Sequence, residues 1–193
     1  MNTKKFDIYK IEEEVKRMHL EAAGEPQRKK LLEHFWNHHI VPVVAYSREM
    51  ALRYGGDAEI IHLGALLHDM ALIENAEPHD EIGAGKAYEF LIVHWAPPET
   101  AQKVRDIVLK HRCKLYIPET VEEKIVATAD ALAHFFPEFH GSGASIISGE
   151  DHVEMNVLDI ERLEKEYSDK VFFEKEKELF KEVIKDFQKE FYI

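Results

Sequence analysis

Residues 60–73 read IIHLGALLHDMALI, and in that stretch Asp69 is the one formally charged side chain. Fourteen residues this apolar, led in by Asp57 as an N-cap, predict a helix from Ala58 to about Ile73 that is buried nearly all round. A lone carboxylate in such a helix is costly unless it is paired, hydrogen-bonded or bound to a metal. A second stretch has the same character. Residues 125–136 read IVATADALAHFF, with Asp130 as the only formal charge. Neither stretch contains Lys or Arg, so two buried acids in one small chain ask for a shared positive partner.

Outward from these two segments the punctuation is helical throughout. No run alternates apolar and polar residues for long, and no Asn-Gly or Asp-Gly hairpin turn occurs. Tyr9 to Leu20 carries Ile11, Val15 and Met18 at helical spacing, and Gln27 to about Asn37 carries Leu31, Leu32, Phe35 and Trp36. Pro42 fits the first turn of a third helix, which runs to Tyr54 and stops at Gly55-Gly56. Pro78 opens a helix that ends at Trp95, and Glu99 to Arg112 forms another. Thr120 with Glu123 makes a capping box for the helix through Asp130 to Phe136. A glycine-rich break, residues 137–150, separates this from a charged tail with Leu163, Tyr167, Leu179, Val183, Ile184 and Phe187 at helical intervals. The expectation is an all-α, single-domain helical bundle with a C-terminal helical extension.

Composition sets bounds on function. The chain has 193 residues, enough for one domain with a sizeable core at 45% hydrophobic content. Cys113 is the single cysteine, which excludes a disulfide framework and a thiolate zinc cluster. No stretch is apolar enough to span a membrane, and residues 1–15 lack the apolar core of a signal peptide, so a cytoplasmic location is expected. A net charge of -12 argues against a long nucleic acid held on a basic face. It leaves room for a small anionic ligand, because a metal or local cations can invert the field within one pocket.

His68 beside Asp69 points to a cation as the missing partner, and His39 lies just before the apolar run Ile40-Val41-Pro42-Val43-Val44. Imidazole with carboxylate suits Fe, Mn, Zn, Ni, Co or Mg rather than thiolate copper chemistry. Any one of the twelve histidines, taken alone, reads as an ordinary packed or surface residue. His79-Asp80 repeats the dipeptide of His68-Asp69 in polar surroundings.

Taken together, His39, then His68-Asp69 behind Ala65-Leu66-Leu67, then Asp130 within KIVATADAL (124–132) resemble the H…HD…D signature of the HD-domain superfamily of metal-dependent phosphohydrolases. His79 in HDEIGA and His111 in IVLKH resemble accessory histidines of its HDIG-type branch. The resemblance covers residues 34–136; residues 1–33 and 137–193 carry no matched motif and are expected to pack on that core as part of the same domain. It implies that His39, His68, Asp69 and Asp130 hold a divalent metal, with Asp69 also contacting the attacking water or bridging to a second ion. His79 and His111 would then hold that second ion, or face substrate and act on its phosphate or leaving group. One ion is the favoured reading, since Arg112 follows His111 where some two-metal branches have a further histidine.

Phosphate recognition needs cations as well. Between Gln102 and Lys114 five of them face Asp106 alone, and Lys110 and Arg112 flank His111. These two and Lys124, which resembles a lysine found at that point in many relatives, are the candidate phosphate contacts. Glu74 and Glu77 could orient water, His134 could line the pocket, and residues 137–150 could form a lid, although plain structural roles fit Glu74, Glu77 and His134 better and the break at least as well. The implied function is metal-dependent hydrolysis of a small phosphorylated substrate, most plausibly a nucleotide. The alternative is a metal-binding sensor or scaffold without turnover. A homodimer is compatible with either.

Overall fold

The computed structural model describes residues 6–22, 24–134, 164–165 and 167–191, with the side chains of the last helix as far as residue 185. The glycine-rich break, with His140, and His152 beyond it lie outside the described residues. The α-helices among the described residues include, in order, α1 (Ile8–Leu20), α2 (Pro26–Phe35), α3 (Val41–Tyr54), α4 (Ala58–Leu67), α5 (His79–Val93), α6 (Pro98–Lys110), α7 (Val121–Ala133) and α8 (Glu174–Phe191). No strand occurs among the described residues.

Helices α4 and α7 form the centre, as the apolar runs within them require. Every residue of α4 from Ile60 to Leu67 is buried, and so is every residue of α7 from Ile125 to Ala133. α3 packs on both, α6 covers α4, and α5 lies against α6. Gly64 permits the α4–α6 approach, since a Cβ there would meet Ile107 Cγ2 at 2.7 Å. Ile11 and Val15 of α1, with Val171 and Phe180 of the C-terminal region, join the same apolar core.

Local rules account for several helix ends. Asp57 accepts from the backbone of Glu59 and Ile60 to start α4. Thr120 and Glu123 cap α7 reciprocally. Gly55, at φ 81°, ends α3.

Three segments depart from the sequence expectation. Pro42 does not begin a new helix. Residues Phe35, Trp36, Ile40 and Val41 all keep right-handed helical angles, so α2 runs on into α3 through a π-helical turn over Trp36–Ile40. The Val41 amide reaches back five residues to Trp36. That widened turn accommodates a proline whose ring would clash with the carbonyl four residues earlier in a regular helix. Secondly, α4 stops at Leu67 rather than near Ile73. Asp69 leaves the helix at φ -112° and ψ 19°, and a 3-10 turn over Met70–Glu74 follows, closed by Asn75 at φ 56°. Thirdly, α6 ends at Lys110, and Cys113, at φ 54°, turns the chain. Leu115, four residues beyond the buried His111, is thereby exposed.

Candidate metal centre

Each irregularity lies beside a candidate ligand. The π-helical turn carries His39, the end of α4 carries His68 and Asp69, and the end of α6 carries His111. His79 is the first residue of α5, and Asp130 sits in the middle of α7. Five chain segments therefore converge on one point, and His39, His68, Asp69, His111 and Asp130 are all buried there.

The polar atoms fall into two sets that share Asp69. In the first, His39 Nε2 is 3.0 Å from His68 Nε2, 3.3 Å from Asp69 Oδ2 and 3.4 Å from Asp130 Oδ1. His68 Nε2 is 3.2 Å from the same Asp69 oxygen. In the second, His79 Nε2 and His111 Nε2 each lie 3.3 Å from Asp69 Oδ1. Within His39, His68 and Asp130, and again within Asp69, His79 and His111, the potential ligand atoms all lie inside 4.8 Å of one another.

Three of the imidazoles have their tautomer set from behind. His68 Nδ1 donates to the Ala65 carbonyl at 2.8 Å, and His111 Nδ1 donates to the Val108 carbonyl at 2.6 Å. A carbonyl can only accept, so in neutral His68 and His111 the Nε2 atoms present lone pairs to the centre. His79 Nδ1 likewise donates to Glu77 at 2.9 Å, and this contact is the main cause that holds the Glu77 carboxyl below its ordinary range. Burial pushes His111 toward the neutral form despite Asp69 nearby.

Lone pairs of neutral imidazoles pointed at carboxylate oxygens repel unless a cation sits among them. Asp69 Oδ1 and Asp130 Oδ1 are buried acceptors that make no hydrogen bond among the described residues. The donor set therefore fits a divalent ion, with hard-to-borderline N/O ligands and backbone-fixed imidazoles. In the metal-free chain a proton takes part of that role. Burial disfavours charge on His39, but Asp130 and Asp69 outweigh it and raise its pKa to about 9. Asp69 is held well below the usual carboxylate range despite burial, by His68, His111 and His39.

Asp130 has a partner that neither apolar segment revealed. Lys170, from the C-terminal region and itself buried, places Nζ 2.7 Å from Asp130 Oδ2. Burial would raise the Asp130 carboxyl, and Lys170 is the largest influence that lowers it instead. Thr128, two residues before Asp130, fixes the lysine's backbone: its hydroxyl donates to the Lys170 carbonyl at 3.0 Å and accepts from the Phe172 amide at 3.2 Å. Phe173 stacks on Tyr54 at 4.1 Å, and Glu176 accepts from Arg53 and Tyr54. Part of the positive partner that the two buried acids ask for is thus a lysine from forty residues downstream, delivered by docking of the tail.

His134, one turn after Asp130, stacks on His39 with ring centroids 4.8 Å apart and has Nε2 3.7 Å from Asp130 Oδ1. His34 and His38 stack on each other at 4.5 Å. Glu74 pairs with Lys86 at 2.6 Å, and Glu77 orients His79.

A cavity of about 680 Å³ opens onto Asp69, His79, His111, Asp130 and His134. Of the three candidate phosphate contacts, Arg112 lines it, at 3.2 Å from both Glu77 and Asp80. Lys110 and Lys124 do not line it. Lys110 instead bonds Glu119 and Glu123, the latter being the acid of the α7 capping box. Most of the basic run from Gln102 to Lys114 is similarly occupied, Lys103 with Glu99 and Arg105 with Asp106.

Comparison with known proteins agrees with this architecture. A crystal structure of a predicted HD superfamily hydrolase from an uncultured Thermotogales bacterium is similar over 94% of this chain and 91% of that one, with a TM-score of 0.56 at 20% sequence identity. That likeness concerns the fold. No curated protein matches the chain. The family model described as HD domain matches residues 37–134, which is half of the chain and contains all six converging ligand candidates. On that match, and with those six side chains gathered at one centre, the chain belongs to the HD domain family.

Proposed function

We propose that the chain is a metal-dependent phosphohydrolase acting on a small phosphorylated substrate, with a nucleotide as the favoured class. Family membership supports a metal-dependent hydrolase in general. The observation that carries the finer reading is the divided carboxylate of Asp69, whose Oδ2 faces His39 and His68 while Oδ1 faces His79 and His111. His39, His68, Asp130 and Asp69 would hold one ion; Asp69, His79 and His111 form the set for a second. A divalent ion in such a set supplies Lewis acidity, acidifying water and screening charge that builds on phosphorus.

The chain's own residues supply the rest. Asp69 orients both ligand sets at once. Ala65 and Val108, through their carbonyls, and Glu77, through its carboxylate, keep the three imidazoles from turning. Arg112, braced by Glu77 and Asp80, offers a guanidinium edge at the cavity wall, where it can take a phosphate oxygen. The functional unit in this reading is the 34–136 core together with the tail that delivers Lys170.

A screen of nucleoside mono-, di- and triphosphates against Mn, Mg, Fe, Co and Ni tests the proposal. Metal-dependent release of phosphate or pyrophosphate is expected. Bound metal with no release across the panel would refute turnover and leave a ligand sensor built on the same fold.

A further inference from the structure

The walls of the cavity differ in charge. Asp69, Asp130 and the histidines form its floor, while Arg112, Lys114, Lys165 and Lys170 stand around it. Two of these cations are already committed. Arg112 is bonded to Glu77 and Asp80, and Lys170 to Asp130. Lys114 and Lys165 are exposed and make no ion pair among the described residues. Asp169, the remaining acid of the lining, forms no ion pair with either lysine. Lys114 owes its place to the left-handed turn at Cys113, closed by the Cys113 amide on the Lys110 carbonyl at 3.0 Å. Lys165 arrives from the other end of the chain, on the segment anchored by Thr128 and Lys170. Two segments far apart in sequence thus each bring to one cavity an ammonium that makes no ion pair among the described residues.

Charge bookkeeping gives these lysines a meaning. A divalent ion neutralises Asp69 and Asp130, which leaves the cavity with a cationic surplus around Asp169. A scissile phosphate at the floor does not use the mouth as well. We propose that Lys114 and Lys165 bind a second anionic group of the substrate, set apart from the scissile phosphate. The substrate class is therefore a phosphorylated small molecule with a further phosphate or carboxylate, in preference to a simple monophosphate. This rests on the phosphohydrolase reading, and it adds a specificity that the metal ligands by themselves cannot supply.

Equilibrium binding to the full, metal-loaded chain tests it without turnover. The probes are alkylphosphonates of increasing length and ω-carboxyalkylphosphonates of the same lengths, which differ in whether the far end is charged. The wild type is expected to prefer the carboxylate-bearing member by about tenfold at the best length. In K114M/K165M that preference should vanish while metal content and the helical circular dichroism spectrum stay unchanged. A wild type with no preference at any length, or a double variant that keeps it, overturns the proposal. The phosphohydrolase reading fails on a separate result: a lack of phosphate release from any ester, whatever the binding preference.

Discussion

Lys170 Nζ lies 2.7 Å from Asp130 Oδ2, while the other oxygen of that carboxylate faces His39 Nε2 at 3.4 Å. One carboxylate thus joins the C-terminal region to the metal centre. The ammonium occupies one oxygen and leaves the other to the ligand set, so folding of the tail and formation of the site are linked through one side chain.

Lys170→Met should destabilise the metal-free chain by about 3–5 kcal/mol, the usual cost of removing one member of a buried ion pair. Urea denaturation in the presence of a chelator measures it. Lys170→Arg should recover part of the loss, and a variant as stable as the wild type would show that the pair contributes nothing net.

His68→Ala and Asp69→Ala should each abolish metal-dependent turnover and leave the helical spectrum in place. Because these side chains face the centre directly, the loss should exceed the 10–100-fold typical of a residue that only orients a ligand. Undiminished activity in a metal-stripped preparation of either variant would contradict the assignment. Elemental analysis of the same samples reports metal content.

Glu77→Gln leaves the core untouched, since Glu77 is exposed, but it weakens the acceptor that orients His79. Its expected effect is about a 10–100-fold fall in metal affinity or activity, with stability unchanged within about 0.5 kcal/mol. Thermal melts alongside metal titrations separate the two.

The metal-free chain should lose stability as pH rises from 6.5 through about 9. The folded-state pKa of His39 is raised from 6.5 to about 9, so its protonated form favours folding fully below 6.5 and that contribution fades as the proton leaves. Each kcal/mol lost lowers Tm by about 2–4 °C in a chain of this size. Metal-loaded protein should lack this decline, because the ion replaces the proton, and its metal affinity should rise over the same window. Parallel melts with and without metal across that range decide the matter.

Cys113 should resist thiol reagents at pH 8 in the folded chain. Burial pushes its thiol up to about 12, in spite of Lys170 nearby, so almost no thiolate forms. A disulfide reagent should label it only after denaturant is added; prompt labelling of native protein would show that the turn at Cys113 opens readily.

Much of the centre is legible in the chain because burial of charge is a local signal. Asp69 and Asp130 stand alone in apolar segments, and the cost of such a placement is evident without coordinates. His68 next to Asp69, and His39 at the head of an apolar run, follow from the same reasoning. The capping box at Thr120 and the stop at Gly55 are equally local, since each depends on a few neighbouring residues.

The cationic residues are harder to read. Lys110 and Lys114 look alike in the sequence, yet one is drawn into the cap of α7 and the other lines the cavity. What separates them is the reversal of the chain at Cys113, a left-handed residue that is not glycine and carries no composition signal. Helix ends at functional positions are hidden for a related reason. Asp69 leaves α4 within an unbroken apolar run, at the point where its carboxylate meets His39, His79 and His111 from three other segments.

From the sequence by itself come the helical class, the central pair of apolar segments and the need of their two acids for positive charge, all properties of spacing and of the cost of burying a carboxylate. The tertiary structure alone decides which charges answer that need. It brings Lys170 from the tail to Asp130, divides Asp69 between two histidine pairs and turns His68, His79 and His111 by a hydrogen bond from behind. Those outcomes depend on distances between elements remote in the chain, and sequence spacing does not encode them.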